Sequence, residues 1–165
     1  MAPGDLIFNL MEANMESTGI KNEQRAFRHL VRVPYAHTDQ MGYVYYANYL
    51  VYFEMARAAM LREIGLPYGE LEKQGLFLPV VEALCEYKAP AHYDDELEII
   101  SRCEFKGARV KISYEVLRAG DRIVTGHTVH ACVSKAPGAS PSSAPAHGRV
   151  IRPPACLQKL VEAGA

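Results

Sequence analysis

The chain has little of what would betray a partner or a compartment. Its charge is almost balanced, 18 Lys and Arg against 19 Asp and Glu for a net charge of −1. No long-range field therefore draws it to nucleic acid or to an anionic membrane, and any anion site has to be local. The expected partner is a small molecule or another protein chain. The four cysteines, Cys85, Cys103, Cys132 and Cys156, form no Cys-x-x-Cys pair and no His/Cys cluster at metal-ligand spacing. No zinc module is expected, and thiols of this kind act as small apolar fillers in a reducing cytoplasm. The first twenty residues lack a basic segment followed by a continuous apolar run, so no secretory signal is expected.

A long hydrophobic run is missing too. The most apolar stretch, Tyr49 to Ile64, is 16 residues long and carries only Glu54, Arg57, Arg62 and Glu63 as charges. It falls short of the ~20 residues of a bilayer span, so it belongs inside protein. Asn48 is placed to cap such a helix and Gly65 to end it. A helix apolar on nearly every side must be buried, which requires a sheet to enclose it.

The strands are present. Phe27, His29, Val31 and Val33 alternate with Arg28 and Arg32, and Pro34 ends the run. From Phe77 a strand-like run continues to Pro90. Glu96 to Phe105 and Arg109 to Arg118 each alternate apolar with charged residues, and Ala119-Gly120-Asp121 turns the chain into Arg122 to Val133. One strand, one buried helix and four further strands describe an α+β fold, a five-stranded antiparallel sheet curled around one long central helix. Length and a hydrophobic content of 49% suit a single domain, residues 25–165, after a flexible leader, 1–24. A Ser/Pro-rich stretch, 135–148, reads as a loop that adds nothing to the core, followed by a terminal helix after the paired prolines.

The chemistry gathers before the helix. Between Tyr35 and Gly42 the loop holds one carboxylate, Asp39; Gly42 allows close backbone approach, and the helix start offers unpaired N–H groups and a partial positive charge. That combination suits a carbonyl that becomes an oxyanion. Asp39 attacks it, or deprotonates a water that does, while an N–H at the helix start holds the oxygen. An Asp in this position is also a common Asx-turn residue.

The pattern D-x-x-G-x-V-x-Y-x-N-Y, here Asp39, Gly42, Val44, Tyr46, Asn48 and Tyr49, resembles the hot-dog-fold acyl-CoA thioesterases. It is most similar to the 4-hydroxybenzoyl-CoA thioesterase group with its YbgC-like and FadM-like members. The likeness continues through Gly65-Leu66-Pro67, Leu78-Pro79-Val80-Val81, Tyr93-Asp94-Asp95 and Gly148-Arg149, over roughly residues 26–162. The resemblance implies that Asp39 is the catalytic carboxylate and that Tyr46, seven residues on, supplies its backbone N–H to the thioester carbonyl. YbgC-like members carry His there. Tyr46 thus aligns the chain with the branch that uses Asp and the helix terminus, and a dehydratase, which needs that His, is disfavoured.

Gly42, Val44, Asn48 and Tyr49 are the substrate-binding residues that the motif implies. Lys106, Arg109 and Lys111, clustered at one hairpin, are the candidate contacts for the phosphates of coenzyme A. Glu54 and Arg57 have the spacing to pair on the helix. No cofactor or metal is expected, since coenzyme A is part of the substrate. Whether Asp39 acts as nucleophile or general base, and whether the acyl group is a small aromatic or aliphatic one, stays open. The alternative is a non-catalytic protein that binds an acyl-CoA or acyl carrier. One sheet covers only one side of the helix and leaves an unpaired edge, so a homodimer is expected, and the resemblance implies a dimer of dimers, a homotetramer.

Overall fold

A computed structural model describes residues 24–135 and 148–162. The proposed leader and the Ser/Pro-rich loop lie outside them, apart from single residues at their ends. Five antiparallel strands form the main sheet: β1 (Ala26–Arg32), β3 (Val80–Tyr87), β4 (Glu96–Lys106), β5 (Arg109–Arg118) and β6 (Asp121–Ala131), in the order β1-β4-β5-β6-β3. Helix α1 (Asn48–Glu63) lies across one face. Its inward side chains Tyr52, Phe53, Ala56, Met60 and Leu61 meet Leu97, Ile99, Ile112, Tyr114 and Val116 of the sheet in one core. This is the expected α+β hot-dog architecture.

The closest fit in that core needs a missing side chain. Phe53 stacks on Tyr114, ring centres 4.2 Å apart and planes 4° from parallel. A Cβ on Gly126 of β6 would stand 2.7 Å from the Phe53 ring and 2.4 Å from the Leu84 carbonyl oxygen. Only glycine lets strand and ring approach this closely.

Three local expectations change. Asn48 does not cap α1. The cap is Ala47, with helical φ and ψ, and the Asn48 amide instead donates to the His37 carbonyl at 2.9 Å, because the preceding loop folds back over the first turn. The run from Phe77 is two strands. Leu76–Phe77 (β2) joins a small sheet with Val133–Ser134 (β7) and Arg149–Val150 (β8), and the chain passes Pro79, which has no N–H to give a ladder, before β3 begins. The terminal helix is a 3-10 segment, Ala155–Leu160, that starts from Pro154 and buries Leu157 and Leu160. Between α1 and β2 lies the short α2 (Tyr68–Lys73).

Nor is α1 buried on every side. Leu50, Val51, Glu54 and Met55 are exposed in the single chain, Val51 by 44%. Leu50 and Glu54 share a pocket wall with Val80 and Ala83 of β3, one of the two edges of the sheet, where Val80, Val81, Leu84 and Tyr87 are also exposed. Among the described residues no helix is long and apolar enough to cross a membrane.

Candidate active site

A tight loop precedes α1 and is closed by the carboxylate it carries. Asp39 Oδ1 accepts the N–H of Met41 at 2.8 Å and of Tyr43 at 3.3 Å, and its backbone N–H donates to the Tyr43 carbonyl at 2.8 Å. Gly42 sits at φ +77°, the left-handed conformation this turn requires. Asp39 is thus an Asx-turn residue through one oxygen. The other, Oδ2, has no hydrogen bond among the described residues.

Two anchors seat the loop. Val44 is buried, and its N–H donates to the Ala91 carbonyl at 2.8 Å, tying the loop to the segment before β4. His37 accepts the Tyr45 N–H and the Asn48 amide on its carbonyl, both at 2.9 Å, while its Nδ1 lies 3.0 Å from the Tyr52 hydroxyl. Burial pushes the Tyr52 phenol up to about 12, with Tyr49 adding to it, so it stays a neutral partner for the imidazole. Tyr49 is buried, edge-on to Tyr52 and Tyr87. Val44, Asn48 and Tyr49 therefore hold the loop against the helix, with their side chains in the core or on the backbone. Gly42 shapes the turn.

Tyr46 presents what the oxyanion reading needs. Neither its N–H nor that of Ala47 has an acceptor among the described residues, and both precede the first turn of α1, where the helix dipole favours negative charge. Its phenol ring is exposed and lies against Tyr45 at 4.5 Å. Its carbonyl accepts from the Tyr87 hydroxyl of β3. The loop and the helix start are side by side because Tyr45 is bonded to His37, two residues before Asp39.

The basic hairpin is elsewhere. The loop with Asp39 leaves β1 beside Glu96, the start of β4, whereas Lys106 is its last residue. Ten steps of about 3.3 Å put the hairpin roughly 33 Å from that end of the sheet. Lys106 and Lys111 flank Glu104 there, at 3.2 and 3.9 Å, and Arg109 is exposed. A single protomer does not bring these three residues to Asp39.

The helix charges also part company. Glu54 makes no ion pair or hydrogen bond among the described residues. Arg57 Nη1 turns instead to the Tyr68 hydroxyl at 3.3 Å, with the guanidinium over that ring. Sequence reasoning missed the group that Arg57 joins: His130, Thr128 and Tyr114, which point to the same side of the sheet. His130 lies 2.9 Å from the Leu78 carbonyl through Nδ1 and 2.9 Å from Thr128 Oγ1 through Nε2, and Thr128 Oγ1 is 3.1 Å from the Tyr114 hydroxyl. Burial, reinforced by Arg57, pushes His130 down to about 4, so the ring is neutral at ordinary pH. The period-two pattern of β6 marks positions 128 and 130 as inward, which was the available signal.

Comparison with known proteins agrees with the fold. A family model described as the thioesterase-like superfamily matches residues 33–157. A putative acyl-CoA thioesterase, YneP, of Bacillus subtilis is 37% identical over 107 residues, 64% of this chain and 78% of that protein. Among solved structures, a hypothetical protein of Aquifex aeolicus superposes with a TM-score of 0.72 at 29% identity, covering 82% of this chain and 99% of the other. A DHNA-CoA thioesterase of Staphylococcus aureus does so at 0.63 and 29%, covering 66% and 74%. The fold and the relatives define a hot-dog thioester hydrolase. The chain belongs to the thioesterase-like superfamily.

Proposed function

We propose that the Asp39 loop and the start of α1 hydrolyse an acyl-CoA thioester. The protein is an acyl-CoA thioester hydrolase for small aromatic or aliphatic acyl groups, in keeping with the activities named for its relatives. The observation that supports the site assignment is that, among the described residues, one carboxylate oxygen, Asp39 Oδ2, has no partner and two N–H groups at the helix start, of Tyr46 and Ala47, have no acceptor. The N–H groups take the carbonyl oxygen as it gains charge. Asp39 then adds to the carbonyl carbon, or takes a proton from the water that adds. In either route the C–S bond breaks, coenzyme A leaves as a thiolate that takes up a proton, and the acyl group ends as a carboxylic acid.

The working unit is a homodimer formed through β3. The exposed apolar stripe of α1 and the unpaired edge of β3 adjoin one another, and a two-fold axis beside them covers both. Antiparallel pairing of two β3 strands sets Tyr87 of one copy near Val80 of the other. Each Asp39 loop then meets the far half of its partner, including the end that bears Lys106, Arg109 and Lys111. Those three residues contact the coenzyme A phosphates across the dimer. Two such dimers associate as a tetramer. Four free thiols support residence in the reducing cytoplasm.

A panel of acyl-CoA esters with thiol detection tests the activity. Release of coenzyme A from at least one small acyl ester is expected. Tight binding of the panel without release would favour an acyl-CoA-binding protein instead.

A further inference from the structure

One residue of the loop before α1 is bonded to that helix at two heights. The His37 carbonyl accepts the Asn48 amide in the first turn. Its imidazole Nδ1 stands 3.0 Å from the hydroxyl of Tyr52, one turn further in, with the ring centres 5.5 Å apart. Among the described residues, no other residue of α1 beyond its first turn is hydrogen-bonded to residues 35–44.

Tyr52 is wholly buried, which gives its hydroxyl a meaning. Phenylalanine would fill the same space against Tyr49 without a polar atom, whereas a buried hydroxyl costs free energy unless it is hydrogen-bonded. Nδ1 of His37 is its one partner among the described residues. Burial pushes the phenol up to about 12, so it keeps its proton, and that proton has Nδ1 as its acceptor. The imidazole therefore carries its own hydrogen on Nε2.

This bond lies between the two halves of the proposed site. Asp39 follows His37 by two residues, and the N–H groups of Tyr46 and Ala47 come directly before the helix to which Tyr52 belongs. On its other side Asp39 is fastened to the sheet, through the Val44 N–H and the Ala91 carbonyl at 2.8 Å. The loop thus has one fastening on the sheet and one on the helix. The backbone part of the second, at the His37 carbonyl, does not depend on which side chain residue 37 carries. The ring adds a second point, and two points stop the loop from turning about the first.

We propose that His37 and Tyr52 are positioning residues for the hydrolysis, their hydrogen bond fixing the bearing of Asp39 on the N–H groups of Tyr46 and Ala47. The inference rests on the acyl-CoA thioesterase reading above. Neither side chain has to touch the ester. A reacting group misplaced by about 1 Å costs on the order of a hundredfold in rate, so a bond of modest worth to stability has a large effect on turnover. With the ring bond gone, Asp39 stays fastened to the sheet through Val44 and loses its fixed setting against the helix start.

The test uses the purified full chain and the acyl-CoA ester that it turns over fastest. Tyr52→Phe removes the hydroxyl and keeps the ring. It is expected to lower kcat by about tenfold, with KM within about twofold and the melting temperature lowered by about 4 °C at most. His37→Ala is expected to match it in kcat, and the double variant to be no slower than either single one, because both changes remove the same bond. His37→Asn carries an amide oxygen where Nδ1 stood and is expected to recover most of kcat, which a bond that served the fold alone would not require. An unchanged kcat in Tyr52→Phe overturns the inference, as does a loss that appears in KM alone or an His37→Asn as slow as His37→Ala. Should Tyr52→Phe fail to fold, His37→Asn against His37→Ala decides by the same measure. A wild-type chain that releases thiol while ignoring these changes defeats the positioning role only; one that releases thiol from no acyl-CoA defeats the thioesterase reading, and this inference with it.

Discussion

The hydroxyl of Tyr87 donates to the carbonyl of Tyr46 at 3.1 Å, so the free edge of the sheet is tied to the peptide that begins the helix. Burial and the Cys85 thiol beside it hold the Tyr87 phenol well above its ordinary range, and it remains a donor throughout ordinary pH. Any movement of β3 on dimer formation is thereby passed to the N–H groups proposed to hold the oxyanion. Tyr87→Phe is expected to lower kcat several-fold, about 1 kcal/mol of transition-state stabilisation, with KM little changed. Steady-state kinetics on the best ester checks this. A rise in KM alone would place Tyr87 in binding.

Asp39→Asn removes the charge of the loop while retaining an oxygen that can accept from Met41 and Tyr43. A loss of about a hundredfold or more in kcat is expected, with the melting temperature preserved. Single turnover in labelled water separates the two routes: solvent oxygen enters Asp39 only if its carboxylate attacks. Tyr46→Phe is expected to be mild, because the proposed contribution is a backbone N–H.

Replacing Lys106, Arg109 and Lys111 together by Ala is expected to raise KM and leave kcat nearly unaltered, with a weaker salt dependence of KM. Mixed dimers sharpen the point. If the hairpin serves the partner's loop, a triple-Ala chain combined with an Asp39→Asn chain retains one site in which both the hairpin and the loop are intact. Half of the wild-type activity at low substrate is then expected from that heterodimer, and an inactive one argues against the crossed arrangement.

The exposed stripe of α1 makes assembly testable by a single charge. Val51→Asp is expected to turn a dimer into a monomer on light scattering across dilution, and to abolish activity with it. A wild-type chain that is active as a monomer at assay concentration contradicts the shared site.

His130 makes stability depend on pH. Its folded pKa, about 4, lies below the ~6.5 of the unfolded chain, so the unfolded state binds the proton first as pH falls. The stability due to the neutral, buried ring is complete above pH ~6.5 and is lost progressively down to about 4, on the order of 3 kcal/mol at most. Urea unfolding from pH 7 to 4 is expected to show this slope, and His130→Gln to flatten it.

Much of the fold was legible because it is written in short-range periodicity. The alternation in β4 and β5 and the apolar run of α1 each report which face is buried, and the hairpin at Ala119-Gly120 takes positive φ values, 50° and 90°, the second of which glycine suits. The turn that Asp39 closes was legible too, because an Asp three residues before a Gly ahead of a helix suits an Asx-turn. The misread positions depend on contacts that spacing does not encode. Asn48 could accept a helix N–H through its amide oxygen or donate through its amide nitrogen, and the folding back of His37 brought a carbonyl that takes the second. Leu76 and Phe77 carry the same apolar signature as β3, yet Pro79 and the distant Val133 assigned them to another sheet.

By itself the sequence determined most of the elements, their order and the loop that carries Asp39, since each follows from residues within a turn or two of one another. The tertiary structure decided which groups share a place. It put the basic hairpin at the opposite end of the sheet from Asp39, separated Glu54 from Arg57, and drew Arg57 to Tyr68 and His130, 11 and 73 residues away. The physical reason is that hydrogen bonds and burial are settled among all surfaces that packing brings within about 4 Å, and only the packed chain says which those are.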